Sequence, residues 1–466
     1  MQEQPERTYK ATPRALTAAI EIYARWEAER ERSPLDRVVE AEFRSRRSLN
    51  SGERRWIAEL VYGAARFARR QAYLLDLLGL PIISDARIRL WASAPAAPDG
   101  APLPATAPPS AFAPLVSPER LDAALAALPG TDTPREYLRI TLSFPDAMAD
   151  ALETLLGAEA PAAAAALNAQ APTTLRVNTL RVTRARVQAA LPETVPTRFS
   201  PWGLELPRRV NLYDLPGFRA GWFEMQEEAS QLAALLTDAQ PGQTVVEVGA
   251  GAGGKTLALA ALLQNRGRLV ALDTSEAKLE GLEKRAARAG ATCAETLRVL
   301  AAEEEGTWQP SGAARKRLSR LYNRADVVLV DAPCTGSGVL RRSPDAKWRE
   351  ADIPAFARLQ QALLAQASAL VAPGGRLVYV TCAFERSQNE AVVEAFLASP
   401  PGQAFALEPA LPRLLAARQR LASISNETTA SLFDSLAAGP YFRSWPHRHG
   451  LDAFFAAVLC KAGMGR

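Results

Sequence analysis

The chain has 466 residues, 48% hydrophobic and 23% charged, with four cysteines, two histidines and a formal charge of +5. That length predicts two to four domains, and that composition excludes a wholly disordered chain. No run of 18 apolar residues occurs and the start MQEQPERTYK is polar, so neither a membrane span nor a secretory leader is expected. The cysteines, at 293, 334, 382 and 460, lack the close pairing of a disulfide framework or a zinc cluster. A cytoplasmic, multidomain protein without a metal site is expected.

Residues 1–90 hold 17 Lys/Arg and 13 Asp/Glu, so most of the net charge sits in the first fifth of the chain. An arginine-rich, mildly basic balance suits a phosphate-backbone partner, although it is equally a solvated helical surface. Leu16, Ile20, Tyr23 and Trp26 form a helical stripe. Asn50 or Ser51 can cap a helix running GERRWIAELVYGAARFARR. One side of it carries Trp56, Ile57, Leu60, Val61 and Ala64; the other presents Arg54, Arg55, Arg66, Arg69 and Arg70 as a basic face.

Residues 91–118 are Pro/Ala-rich, with too few large apolar side chains to pack, and read as a linker. Residues 119–226 run from helical, alanine-rich sequence into a strand at 173–182 and a small mixed region. From 227 to 466 short β-branched runs alternate with helical segments: 244–248, 269–273, 326–331 and 377–381. That alternation predicts a parallel sheet covered on both faces. FFAAVL, 454–459, is expected as an antiparallel edge strand.

Gly249-Ala250-Gly251-Ala252-Gly253-Gly254-Lys255 follows the first strand and opens a helix. Glycines permit the tight turn, and a cofactor can approach the amides at the helix start. Asp273 ends the next strand, where a carboxylate can accept both hydroxyls of an adenosine ribose. The spacing of Gly249, Gly251 and Gly254 also satisfies the dinucleotide fingerprint, so this loop alone leaves NAD open. Asp331-Ala-Pro-Cys334 and Thr381-Cys382 each lie just past a strand, at the sheet edge where open α/β folds bind ligands.

GAGAGGKT, DAPCTGSGVLRRSPDAKWR, YVTCAFERSQNE and LRVN together resemble the Nol/Nop/Sun family of RNA cytosine-5 methyltransferases. RRSPDAKW and EMQEEASQ resemble its bacterial small-subunit (16S) rRNA branch, of RsmB type. The resemblance implies an S-adenosylmethionine methyltransferase domain of Rossmann-like α/β fold, with a mixed seven-stranded sheet. It also implies an N-terminal all-α, NusB-like RNA-binding domain. Cys382 then matches the nucleophile, Cys334 the residue assisting release, Asp331 the acid at the cytosine edge, and Lys255 a lysine near the base. Residues 249–255, Asp273 and Asp331 match the binding site for S-adenosylmethionine. RNA is the implied partner, either 16S rRNA or an assembling small subunit.

Some positions depart from the family pattern. Ala252 stands for a proline, Gly249 for a cysteine, Glu247 for an aspartate and Ala383 for a serine. The acidic residue expected near 301 is replaced within VLAAEEEG unless Glu303 or Glu304 substitutes. Beside the methyltransferase reading stand a non-catalytic RNA-binding assembly factor, a tRNA cytosine-5 methyltransferase, and an NAD oxidoreductase that leaves both cysteine motifs unexplained. Arg176 and Asn178, Arg341 and Arg342 as phosphate clamps, and Trp348 as a stacking or packing residue complete the candidates. His447 and His449 are assigned no site.

Overall fold

A computed structural model describes residues 11–93, 114–207, 211–301, 308–309, 312–422 and 430–463. Most of the Pro/Ala stretch, together with Glu303 and Glu304, lies outside these residues. The chain divides into two compact units, Met1–Gln170 with Val339–Ala351, and Ala171–Gly338 with Asp352–Arg466.

The first unit is helical: α1 (Pro13–Glu29), α2 (Leu35–Ser45), α3 (Ser51–Arg66), α4 (Ala68–Leu77), α5 (Ser84–Ser93), α6 (Pro118–Ala126), α7 (Pro134–Glu136), α8 (Asp146–Leu156) and α9 (Ala160–Asn168). Leu16, Tyr23 and Trp26 of α1 pack with Trp56, Ile57, Leu60 and Val61 of α3 in one apolar core. Asn50 caps α3 reciprocally. Its Oδ1 accepts from the Glu53 N–H at 3.0 Å, and Glu53 Oε2 accepts from the Asn50 N–H at 3.1 Å. Glu53 also receives both arms of Arg14 at 2.7 Å and the Thr12 hydroxyl at 2.8 Å.

The single helix expected over 52–70 breaks at Phe67, whose φ of −114° and ψ of 31° are not helical. The break seats the Phe67 ring in the core, 5.2 Å from that of Trp91. Nor do Arg54, Arg66, Arg69 and Arg70 form a free basic face, although Arg55 is exposed. Arg54 donates to the Leu49 and Arg46 carbonyls, Arg66 to that of Arg341, and Arg69 to the Phe144 carbonyl and Asp146; Arg70 is buried. Helix-end carbonyls without intrahelical partners draw guanidinium donors inward.

Residues 339–351 belong to this unit although their neighbours on both sides belong to the other. Trp348 Nε1 donates to the Ala65 carbonyl at 2.6 Å, which settles the packing alternative for that ring. Arg341 is buried, which removes the solvated-loop alternative to its reading as a phosphate clamp. Lys347 is buried with its ammonium on the carbonyls of Arg66, Leu142 and Ser143 and on Asn168 Oδ1, 3.9 Å from the Phe144 ring centroid. Burial, with Arg66 nearby, holds its pKa well below the ordinary lysine range.

The second unit begins with a small antiparallel sheet ordered β2-β3-β1-β4: β1 (Thr173–Val177), β2 (Val195–Pro196), β3 (Gly203–Leu206) and β4 (Phe223–Met225). Helix α10 (Arg184–Ala190) lies between β1 and β2 in the chain, and Val187 joins Leu175, Leu204 and Phe223 in a shared core. Next come α11 (Glu228–Leu235), β5 (Thr244–Val248), α12 (Gly254–Leu263), β6 (Arg268–Asp273), α13 (Glu276–Ala289) and β7 (Ala294–Arg298). A short pair, β8 (Leu300–Ala301) and β9 (Trp308–Gln309), precedes α14 (Gly312–Ser319), β10 (Ala325–Asp331), α15 (Ile353–Ser368), β11 (Val371–Thr381) and α16 (Glu390–Ala398). The chain closes with β12 (Phe405–Glu408), α17 (Ala410–Ala422), β13 (Ala437–Ala438), β14 (Tyr441–Arg443) and β15 (Phe455–Lys461).

The large sheet is mixed, as expected, but has nine strands rather than seven. Its order is β13-β14-β15-β11-β10-β5-β6-β7, with β12 also on β15. β7, β6, β5, β10 and β11 are parallel, and β15 joins β11 antiparallel. β15 is not an edge strand, because β12 and β14 cover its free side. Its run of buried residues from Phe455 to Leu459 is what a two-sided interior strand requires.

The Glu53 network sets an acid limit. Chiefly through Arg14, the Glu53 carboxyl is held at about 2, against an ordinary carboxyl near 4.5. A depressed acid stabilises above its unfolded pKa and loses that contribution as pH falls through the folded value. With Arg14 more than half exposed, the contribution is discounted to about 1–2 kcal/mol. Glu53→Gln should therefore lower the melting temperature at neutral pH, and the gap from wild type should close between about pH 4.5 and 2. A gap constant across that range refutes the assignment.

Candidate active site

Strand order reverses between β5 and β10: the chain runs outward through β6 and β7, then returns to β10 and β11 on the other side of β5. Such a switch point opens a crevice at the carboxyl ends of the strands. Gly249, at the end of β5, has φ +80°, and a Cβ there would lie 2.3 Å from the Asp331 carbonyl oxygen. Only glycine lets the two strand ends approach this closely. Gly253, at φ +88°, turns the chain into α12 where a side chain would strike Leu282.

Loop amides fix the turn. The N–H groups of Gly249 and Ala250 donate to the Leu272 carbonyl, and that of Gly253 to the Ala250 carbonyl. The Ala252 carbonyl accepts from Arg285, and Glu224 pairs with both Arg285 and Arg288. Asp273 takes the Gly251 N–H on Oδ2 and the Ser275 N–H on Oδ1, each at 2.8 Å. Each oxygen keeps a further acceptor site, so a ribose can still be held by a carboxylate fixed at both ends. Around Gly251 only the Gly249 carbonyl comes within 4.0 Å of a Cβ position. An open glycine turn at the start of α12 with an anchored Asp273 fits a nucleoside cofactor.

Lys255, the second residue of α12, places Nζ 2.7 Å from Asp331 Oδ2 and 5.7 Å from the Phe454 ring centroid. Burial would depress this lysine, but Asp331, Glu247 and Cys382 outweigh it and the net shift is upward. Lys255 therefore stays charged and occupies half of the Asp331 carboxylate. Glu247 is buried one turn away, hydrogen-bonded by Thr256, with Oε1 unpartnered among the described residues. Burial pushes it up to about 8.

Asp331 pairs in register with Val380 on β11, so the loops after both strands run side by side. Cys334 and Cys382 are thus brought together, Sγ to Sγ 3.5 Å, as two free, partly exposed thiols. The first proton leaves Cys334 more readily than from an ordinary thiol. Cys382 donates to it, and the Gly336 and Cys382 N–H groups also favour its thiolate. The proton remaining on Cys382 is held correspondingly tightly.

The sequence reading missed what locks these loops. Glu385 Oε2 accepts from Ser337 (2.7 Å), Thr335 (3.3 Å) and Gln388 (2.9 Å), while Gln388 Oε1 accepts the Thr335 N–H at 3.0 Å. Gln360 of α15 reaches the Pro333 carbonyl at 2.9 Å. Only their position near the two cysteines could have flagged them.

Arg176 is buried, with Nε on Gln226 Oε1 at 2.6 Å and burial lowering it to about 10. Asn178 is structural: its amide nitrogen donates to the Gly221 and Ala289 carbonyls, and its oxygen accepts the Leu180 N–H. His449 Nδ1 accepts the Trp445 N–H, and burial lowers its pKa to about 4. Among the described residues no cluster of three or more His, Cys, Asp or Glu could hold a metal ion, and no helix is long and apolar enough to cross a membrane.

Residues 234–460 match the family described as 16S rRNA methyltransferase RsmB/F, and residues 144–213 its RsmF/B-like ferredoxin-like domain. A probable ribosomal RNA small subunit methyltransferase B of Synechocystis sp. is 32% identical over 341 residues, 69% of this chain and 67% of that protein. The chain belongs to the RsmB/F family of rRNA methyltransferases. A second RsmB/F relative, ribosomal RNA small subunit methyltransferase B of Vibrio cholerae, is 34% identical over 63% of this chain and 60% of its own length. Among solved structures, PH0851 is 25% identical with a TM-score of 0.70, covering 98% of this chain and 99% of its own. The RsmB/F family is one of S-adenosylmethionine-dependent enzymes, in keeping with the glycine turn and Asp273; the NAD reading has no support from it.

The thiol pair yields a directional test. Cys382→Ala should move the titration of Cys334 upward, because its hydrogen-bond donor is gone. Cys334→Ala should move that of Cys382 downward. The pH dependence of iodoacetamide alkylation, followed site by site by mass spectrometry, measures both. Shifts of the same sign would contradict a shared proton.

Proposed function

We propose that this chain forms 5-methylcytosine in RNA, most specifically in 16S rRNA, through a covalent adduct of Cys382 with carbon 6 of the base. The single observation that carries this reading is the Cys334–Cys382 pair, 3.5 Å apart and next to the Lys255–Asp331 ion pair.

Carbon 5 of cytosine is a weak nucleophile until a thiolate adds at carbon 6. With the first thiolate on Cys334, Cys382 must surrender its proton to attack, and Cys334 is the acceptor at hand. As the sulfur–carbon bond forms, charge builds on N3, where Asp331 supports protonation while Lys255 fixes its other oxygen. S-adenosylmethionine held by residues 249–255 and Asp273 supplies an electrophilic methyl group. Loss of the carbon 5 proton to water then lets the sulfur–carbon bond break with its electron pair returning to Cys382. The N3 proton goes back to Asp331, and Cys334 assists by returning to the departing sulfur the proton it took at the start. Chemistry of this kind needs an unstacked base, so the target is single-stranded or flipped.

Cys382→Ala should abolish methyl transfer to RNA while leaving S-adenosylmethionine binding intact. Cys334→Ala should accumulate a slow-migrating protein–RNA adduct on denaturing gels. Turnover near wild type in the first variant, or no adduct in the second, overturns the assigned roles. Bisulfite sequencing of rRNA from cells with and without the gene identifies the substrate. Loss of one protected small-subunit cytosine is the expected result; an unchanged rRNA pattern moves the substrate to tRNA or another RNA.

A further inference from the structure

A cavity of about 930 Å3 opens within the second unit, and neither Cys334 nor Cys382 lines it. It is lined by Arg181 and Arg184 after β1, by Ser200 and Trp202 before β3, by Gln264 beyond α12 and by Arg418 of α17. Gln264 lies ten residues beyond Gly254, roughly 15 Å along the helix axis at about 1.5 Å per residue. The cavity thus sits at the opposite end of α12 from the glycine turn.

Its charge is one-sided. No carboxylate among the described residues lines it. Arg184 is half-buried and makes no described hydrogen bond or ion pair. Among the described residues Arg418 spends Nε alone, on the Phe199 carbonyl at 3.2 Å, and stacks 5.1 Å from the Phe433 centroid. Arg181 spends Nε on the Ala289 carbonyl at 3.2 Å. Glu228, the nearest acid beneath the 199–200 turn, has Oε1 filled by the Phe199 and Ser200 N–H groups, each at 2.6 Å. Burial lowers the pKa of both Arg184 and Arg418, and the charge of Arg184 lowers that of Arg418 further. Partly desolvated guanidiniums lining one cavity with no carboxylate among the described residues are stabilised by an anion, and Nη donors without a described partner match the oxygens of a phosphate.

We infer that Arg181, Arg184 and Arg418 form a second RNA site, which takes backbone phosphodiesters of the RNA whose target base occupies the cysteine site. This rests on the RNA reading above and extends it: a polymer, unlike a free nucleotide, can engage both ends of α12 at once. Phosphate contacts position a strand without reading its sequence.

The test uses the intact chain and a short fluorescein-labelled single-stranded oligoribonucleotide, followed by fluorescence anisotropy across a salt series. Arg184→Gln removes an unpartnered side chain and so should leave the melting temperature and S-adenosylmethionine binding unchanged. It should weaken RNA binding and flatten the slope of log affinity against log salt by about 0.7. Arg184→Gln with Arg418→Gln should flatten it by about 1.4. Equal affinity and slope in wild type and folded variants overturn the site while leaving the catalytic reading intact. Failure of wild type itself to bind the oligoribonucleotide removes the RNA reading and the site together. Unchanged RNA binding, with pyrophosphate raising the melting temperature of wild type but not of Arg184→Gln, overturns the RNA assignment in favour of a small-anion site.

Discussion

The contact between Gly249 and the Asp331 carbonyl holds the site together. A methyl group at position 249 would sit 2.3 Å from that oxygen, so the ends of β5 and β10 meet only because one of them carries no side chain. From this approach the rest follows in order. The glycine turn is pressed against the Asp331 loop, α12 starts where Lys255 can reach Asp331, and the β10–β11 register carries Cys334 alongside Cys382. Loss of the approach would separate the cofactor turn from the thiols, whatever became of the individual side chains.

Burial then decides how the charges are shared. Lys255, Glu247 and the two thiols lie close enough that each shifts the ionisation of a neighbour. Lys255 remains a cation because three anionic or potentially anionic neighbours outweigh its desolvation. Glu247, with one oxygen unpartnered, takes the opposite course and holds its proton. The two sulfurs lie 3.5 Å apart and share one hydrogen bond, so as Cys334 loses its proton more readily Cys382 holds its own more tightly. The Glu385–Gln388 network makes that sharing possible, because it clamps both cysteine loops through backbone and hydroxyl donors and leaves the sulfurs to each other.

How much of this was legible in the sequence depended on whether a feature was local. The runs TVVEV, LVALD, DVVLVD and LVYVT became the parallel strands, since a strand buried on both faces must be apolar at consecutive positions. The two cysteine motifs likewise met because each followed such a strand. The break at Phe67 was not legible: alanine and arginine, good helix formers, flank it on both sides, and the kink comes from seating one ring against Trp91. The interior place of β15 was hidden because a run of apolar residues looks the same at an edge as inside. RRSPDAKW read as a family motif with candidate phosphate clamps and a tryptophan that stacks or packs, yet its Asp345, Lys347 and Trp348 are consumed by backbone groups of the helical unit. No pattern in those residues announces partners some 200 to 300 positions away.

Arginine use shows why charge counts mislead in this chain. A surplus of basic residues in the first ninety suggested an open basic face, and the structure spends much of it on carbonyls and carboxylates inside the helical unit. A guanidinium whose donors are directed at protein oxygens contributes little to an external field, because its charge is already compensated locally. The reverse holds for Arg184, in a segment whose composition draws no attention. It is half-buried, lacks a described partner, and its charge lowers the pKa of Arg418, which lines the same cavity. Recognition of an anion therefore follows from the donors that folding leaves unsatisfied, which is a property of three-dimensional placement and not of the net charge of the segment.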